Sequence, residues 1–147
     1  MEQEKKKKIL LIDNDEMMKI YFRDIFWIHG KSDFYDIKMV SSIEEAEKLI
    51  EDENERPDTI FLDILMPVKG SNGNIPAYQM AHSLEFISKI KKDEILRKIN
   101  VIILSGHKEE YLKEATKNLG IDGYLIKGEF MPKEIISFTD KIHGTNN

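Results

Sequence analysis

Four short, mostly apolar runs punctuate this chain, at residues 9–12, 59–62, 101–104 and 123–126, and a fifth β-prone stretch lies at residues 35–40. Runs of this length, fenced by proline, glycine or charged residues, read as buried strands. The segments between them carry apolar residues at helical spacing. Residues 16–29 predict a helix whose broad apolar face is Met18, Tyr21, Phe22, Ile25 and Phe26, stopped by Gly30, with Trp27 off that face and partly exposed. Ser42-Ile43-Glu44-Glu45 has the form of a capping box and opens a second helix running to about Glu53, followed by a charged exit. After Pro67 the residues from Val68 to about His82 are rich in Gly, Asn, Ser and Pro and read as an unusually long inserted loop. A third helix is expected from around Ser83, with Leu84, Ile87 and Ile90 inward, continuing irregularly through Ile95. Residues 108–118 predict a charged amphipathic helix closed by Gly120. Pro132 opens the last helix, which turns Ile135, Ile136 and Phe138 to the core and stops at Gly144.

Strand and helix thus alternate five times, which is the pattern of an α/β fold with a parallel sheet covered on both faces. Right-handed crossovers leave few arrangements, and a flavodoxin-like (βα)5 order of 2-1-3-4-5 fits best. In that order the first, third, fourth and fifth strands are neighbours, so their carboxyl ends converge on one small surface.

Composition narrows the function classes. A length of 147 residues suits one domain spanning the chain, with a core from about 7 to 143 and a lysine-rich segment at 1–8. The net charge of −5 offers no footprint for nucleic acid, and Lys5 to Lys8 read as a solvated segment. No cysteine is present, so disulfides and thiolate metal sites are excluded. No apolar run approaches a membrane span and the N-terminus lacks a signal peptide's hydrophobic region, so the expected location is the cytoplasm, without membrane insertion.

The converging strand ends carry Asp13 and Asn14, Asp63, Ser105 and Lys127. Each has an ordinary alternative: Asp13, Asn14 or Asp15 as the cap of the helix that follows, and Asp63 as the cap of a turn. Acids, a hydroxyl and a lysine at all four ends exceed what capping needs. Two carboxylates about 5 Å apart at an effective dielectric near 20 repel by roughly 3 kcal/mol, which favours a shifted pKa or a bound cation. Hard oxygen ligands with open positions suit Mg²⁺, completed by phosphate oxygens. A lysine and a hydroxyl facing that cation complete a cradle for a phosphoryl group, and a central carboxylate can attack phosphorus to give an aspartyl phosphate.

With these residues in place, the chain resembles the response-regulator receiver domains of two-component signalling from about Lys7 to His143. LLIDNDE is similar to that family's acidic turn, PDTIFLDILMP to its phosphoacceptor motif, VIILSG to its switch hydroxyl and GIDGYLIKG to its aromatic and lysine segment. The resemblance implies that Asp63 accepts phosphate from a sensor histidine kinase or a histidine phosphotransfer protein. It also implies that Asp13, Asn14, Asp63 and the backbone carbonyl of Leu65 hold Mg²⁺, that Ser105 and Lys127 contact the phosphoryl group, and that Tyr124 is a rotameric switch. Leu65 and His107 would flank the path of the water that removes the phosphate. Readout is expected on the surface of the fourth helix, fifth strand and fifth helix, near Tyr111 and Phe130, towards an unknown downstream protein, from a monomer or weak dimer. The chain is expected to be a signalling protein rather than an enzyme. With no output domain expected after Ile142, it would act through partners.

Three departures matter. The second acidic position is Asn14, Gly128 stands where the family has a proline, and the insertion at 68–82 abuts the pocket. The first two favour a second reading, a degenerate receiver that binds a partner without phosphorylation. A phosphatase turning over through an aspartyl phosphate is a weaker third, because Leu65 occupies the place of the second aspartate such chemistry needs.

Overall fold

The structure is a computed structural model, and it describes residues 5–68, 75–106 and 110–144. Five parallel strands, β1 (Lys7–Ile12), β2 (Tyr35–Val40), β3 (Thr59–Asp63), β4 (Asn100–Ser105) and β5 (Gly123–Ile126), form one sheet in the order β2-β1-β3-β4-β5. The helices are α1 (Glu16–Ile28), α2 (Ile43–Glu51), α3 (Pro76–Lys92), α4 (Glu110–Lys117) and α5 (Pro132–His143), with a 3₁₀ turn at Leu96–Lys98 before β4. This is the expected strand order.

Alternation along the strands splits the core into two layers. Leu10, Ile12, Ile60, Leu62, Val101 and Ile103 face α2 and α3, meeting Ile43, Ala46, Ile50, Phe86, Ile87 and Ile90. Ile9, Leu11, Phe61, Ile102 and Leu104 face α1 and α5, meeting Phe22, Ile25, Phe26, Ile135 and Ile136. On the second face Phe61 takes Phe22 edge-on, with ring centroids 4.9 Å apart, and Phe22 meets Phe26 at 5.2 Å. Each fully buried aromatic or aliphatic side chain of this kind contributes about 1.5–3 kcal/mol. Phe138 of α5 lies so close to β5 that a Cβ on Gly123 would stand 2.2 Å from its ring, which accounts for glycine at the start of that strand.

The elements depart from the sequence reading in four places. β1 starts at Lys7 rather than Ile9, because Lys7 and Lys8 pair with Tyr35 and Asp36 of β2 and the Lys8 amide donates to Asp58 Oδ2 at 2.8 Å. Tyr21 does not join the buried face of α1; it is 39% exposed, while Phe22, Ile25 and Phe26 carry the contact. α2 ends at Glu51, and its box is split: Ser42 Oγ accepts from the Glu45 amide, but Glu45 reaches back to the amide of Ser41. The largest correction concerns the insertion. α3 begins at Pro76, so the second half of the expected loop is helical. Proline at the first helical position lacks only an amide that would be unsatisfied there, and its fixed φ starts the turn. Residues 69–74, the remainder of that loop, lie outside the described residues.

Candidate functional site

Strand register brings the polar residues together. Ile12 of β1 is level with Leu62 of β3, so Asp13, the next residue, stands level with Asp63. Asp63 is in turn level with Leu104, which puts Ser105 one residue further out, paired with Ile126 of β5 and followed by Lys127. All of these strands are held by apolar contacts on both faces, so their carboxyl ends are fixed by the core rather than by the charges.

Lys127 ties the acids to one another. Its ammonium donates to Asp13 Oδ2 at 2.7 Å and to Asp63 Oδ2 at 3.4 Å. Its backbone amide donates to the Ser105 carbonyl at 2.7 Å, which anchors the loop after β5. Asp13 and Ser105 are fully buried, while the Asp63 and Lys127 side chains keep 14% and 24% of their surface in solvent. Two carboxylates stand against one ammonium.

The titration of the cluster follows from that imbalance. Burial raises the Asp63 carboxyl above its ordinary value and the charge of Asp13 adds to the rise, while Lys127 and the Leu65 amide pull the other way without cancelling it. Burial alone would lower Lys127, but its hydrogen bond to Asp13 and the charges of Asp63 and Asp13 outweigh it and hold the ammonium up. A carboxylate that costs energy to ionise, beside a lysine that stays charged, marks this cluster as a candidate functional site.

Described residues after β1 and β3 hold the two acids in place. Asp15 is the N-cap of α1, where its Oδ1 accepts from the amides of Met17 and Met18 at 3.0 and 3.4 Å. Its own amide donates to Asp13 Oδ1 at 2.9 Å. The capping role, one of two open for this acidic turn, therefore falls to Asp15, and the pocket role to Asp13. Asn14 between them is exposed at the rim. After β3 the Leu65 amide donates to Asp63 Oδ1 at 3.1 Å, and Ser83 of α3 donates its hydroxyl to the Ile64 carbonyl at 2.7 Å. Sequence reading used Ser83 only as the start of a helix; a serine among Phe86, Ile87 and Ile90 on a buried face was the available signal.

Beyond the pocket, Tyr124 lies level with Ile103, half-buried against the α2 and α3 side of the core, with the Lys113 ammonium 5.9 Å from its ring centre. Phe130 packs on the opposite face with α1 and α5, so it does not share that layer with Tyr124. Gly128 takes a φ of 87°, and among the described residues no peptide bond is cis. His107 and the Tyr111 side chain lie outside what the structure describes.

The donor set suits a hard divalent ion. Asp13 and Asp63 bring carboxylate oxygens together at this edge, bridged by the Lys127 ammonium. Among the described residues no group of three or more His, Cys, Asp or Glu could hold a metal, so such an ion would rest on two carboxylates and keep several waters.

Comparison with known proteins gives one consistent answer. The family described as the response regulator receiver domain matches residues 9–139. The alkaline phosphatase synthesis transcriptional regulatory protein PhoP of Bacillus subtilis is 27% identical over 129 residues, covering 88% of this chain and 45% of that protein. The chain spans less than half the length of this relative and of two others, the response regulator-like APRR3 of Arabidopsis thaliana and PhoB of Pseudomonas aeruginosa. Among solved structures, the phosphorylated cyanobacterial phytochrome response regulator RcpA superposes with a TM-score of 0.75 at 20% identity over 97% of this chain and 98% of that one. The Mn²⁺-bound form of response regulator Rcp1 superposes with a TM-score of 0.66 at 20% identity, covering 94% and 90%.

Proposed function

Because the chain belongs to the response regulator receiver domain family of two-component signalling, we propose that it takes up a phosphoryl group on Asp63 and reports it through protein contacts. The donor is a phosphohistidine of a sensor histidine kinase or of a histidine phosphotransfer protein. The observation that carries this reading is the Lys127 ammonium shared between Asp13 and Asp63 at the carboxyl edge of the sheet.

An Asp63 oxygen forms a bond to phosphorus as the P–N bond of the donor breaks in line with it. The charge on the transferring oxygens falls between the Lys127 ammonium and the Ser105 hydroxyl, one supplying a point charge and the other a hydrogen bond. Asp13, Asp63, Asn14 and the Leu65 carbonyl would hold Mg²⁺, which supplies further neutralisation of the phosphoryl oxygens when bound. Positioning and charge compensation account for the rate. Ser105 moving towards the phosphoryl oxygens vacates space for Tyr124, and the surface of α4, β5 and α5 repacks.

Asn14 sets the strength of the cation site. Relative to an aspartate it keeps one oxygen ligand and removes a charge, so Mg²⁺ binds weakly and Asn14→Asp tightens it, by roughly tenfold if about 1.4 kcal/mol survives screening and hydration. Calorimetric titration of both proteins measures this; equal or weaker binding in the variant contradicts it. The reading as a whole is tested by incubating the protein with acetyl phosphate and Mg²⁺. Uptake of one hydroxylamine-labile phosphoryl group supports it, and no uptake leaves a phosphorylation-independent binding module.

A further inference from the structure

Resting on the phosphoacceptor reading of Asp63, the geometry points to Ser83 as a positioning residue for phosphoryl transfer, acting through the peptide between Ile64 and Leu65. That peptide is bonded at both ends. Its carbonyl, on Ile64, accepts from the Ser83 hydroxyl at 2.7 Å, and its amide, on Leu65, donates to Asp63 Oδ1 at 3.1 Å. A trans peptide is a rigid plane whose C=O and N–H point opposite ways, so fixing the carbonyl fixes the direction of the amide. Ser83 thereby sets where the Asp63 carboxylate is held, without touching it.

Three features argue against a serine that merely fills space. Ser83 is fully buried and lies on the face of α3 that also carries Phe86, Ile87 and Ile90, where an aliphatic residue would add apolar contact. Its hydroxyl is spent on a loop nineteen residues away, not on the carbonyl one turn back in its own helix, as Thr116 and Thr139 do in α4 and α5. Ile64 is itself fully buried, so loss of the hydroxyl strands its carbonyl away from water, and the plane must turn to find another partner. Turning it withdraws the Leu65 amide from Asp63 and swings the adjoining Leu65 carbonyl. The early start of α3 at Pro76 places Ser83 two turns inside the helix, on a rigid element rather than a fraying end.

The test compares Ser83→Ala with Thr139→Val, which deletes a buried hydroxyl far from the pocket, on the opposite face of the sheet. The first measurement needs no phosphorylation: the Leu65 amide should shift its NMR resonance and exchange with solvent faster in Ser83→Ala, and stay put in Thr139→Val. The second is phosphorylation by acetyl phosphate at saturating Mg²⁺. Ser83→Ala should lower the maximal rate about tenfold, as misplaced reacting groups do, with little change in the half-saturating acetyl phosphate concentration. Thr139→Val should keep the wild-type rate despite a comparable loss of stability. A Leu65 amide unmoved in Ser83→Ala, or a rate lowered equally in both variants, overturns the role given to Ser83. If the wild type takes up no phosphate, the Leu65 measurement still decides whether Ser83 holds that peptide, and only the reading of Asp63 fails.

Discussion

Two clusters of charged and polar groups sit at opposite ends of the same sheet, and they are built on opposite terms. At the carboxyl edge the carboxylates of Asp13 and Asp63 stand against the Lys127 ammonium, and the Asp63 carboxyl is driven up by burial. At the amino edge the buried carboxylate is matched by a cation. Asp140 of α5 takes the Lys31 ammonium at 2.9 Å on one oxygen and the Tyr35 hydroxyl at 2.6 Å on the other, and His143 is hydrogen-bonded to Thr59 Oγ1 at 2.6 Å. The balanced cluster ties α5 to the start of β2 and β3 and serves stability. In the unbalanced one, burial opposes ionisation of Asp63. Both clusters contain a buried carboxylate, and they differ in how its charge is balanced.

The largest effect expected from this contrast is on folding. Asp140→Ala removes the carboxylate that both the Lys31 ammonium and the Tyr35 hydroxyl meet, and should cost about 3–5 kcal/mol in urea unfolding while phosphate uptake by the folded protein persists. A cost below about 1 kcal/mol would mean that Asp140 contributes no more than an exposed ion pair does.

A smaller effect concerns the lifetime of the phosphoryl group. Leu65, half-buried beside Asp63, offers no hydrogen bond to an attacking water, so self-dephosphorylation should be slow. Leu65→Asn supplies such a bond and should speed phosphate loss several-fold, by roughly 1 kcal/mol of barrier. An unchanged rate would show that access past this side chain does not limit hydrolysis.

The smallest effect is the pH dependence, where the two clusters have opposite signs. Burial raises Asp63, so the folded state binds its proton more readily than the unfolded one; its contribution is present below the ordinary value of 3.8 and is lost as pH rises through the folded pKa. Burial lowers His143, so its contribution is present above the ordinary value of 6.5 and is lost as pH falls through the folded pKa. Asp63→Asn should therefore lessen the loss of stability as pH rises from acid to neutral, and His143→Asn should flatten the loss below about pH 6.5. Unfolding curves across that range check both signs, and reversed slopes would refute the assignment.

The carboxyl edge was legible in the sequence because each component is local: an apolar run and the polar residue that ends it. Asp13, Asp63, Ser105 and Lys127 needed only strand order to bring them together. The amino-edge cluster was not legible, since Tyr35 and Asp140 are separated by 105 positions and Thr59 and His143 by 84, and no periodicity announces such pairs. The start of α3 was missed because Ile75 caps the helix without a side-chain hydrogen bond, and the glycine and asparagine before it pulled the reading towards loop. Which of Asp13, Asn14 and Asp15 caps α1 was open in the sequence, and the cap geometry gives that role to Asp15. Ser83 was seen as a boundary because its partner, a backbone carbonyl, carries no mark in the sequence.

The central claim is that Asp63 is the nucleophile, and its most direct test locates the phosphoryl group. Wild type and Asp63→Asn are incubated with acetyl phosphate and Mg²⁺, the acyl phosphate is reduced with borohydride, and the altered residue is mapped by peptide mass spectrometry. The account predicts one modified position, Asp63, in the wild type and none in the variant, which remains folded. Modification at Asp13 or elsewhere in the wild type, or undiminished uptake by Asp63→Asn, would contradict it.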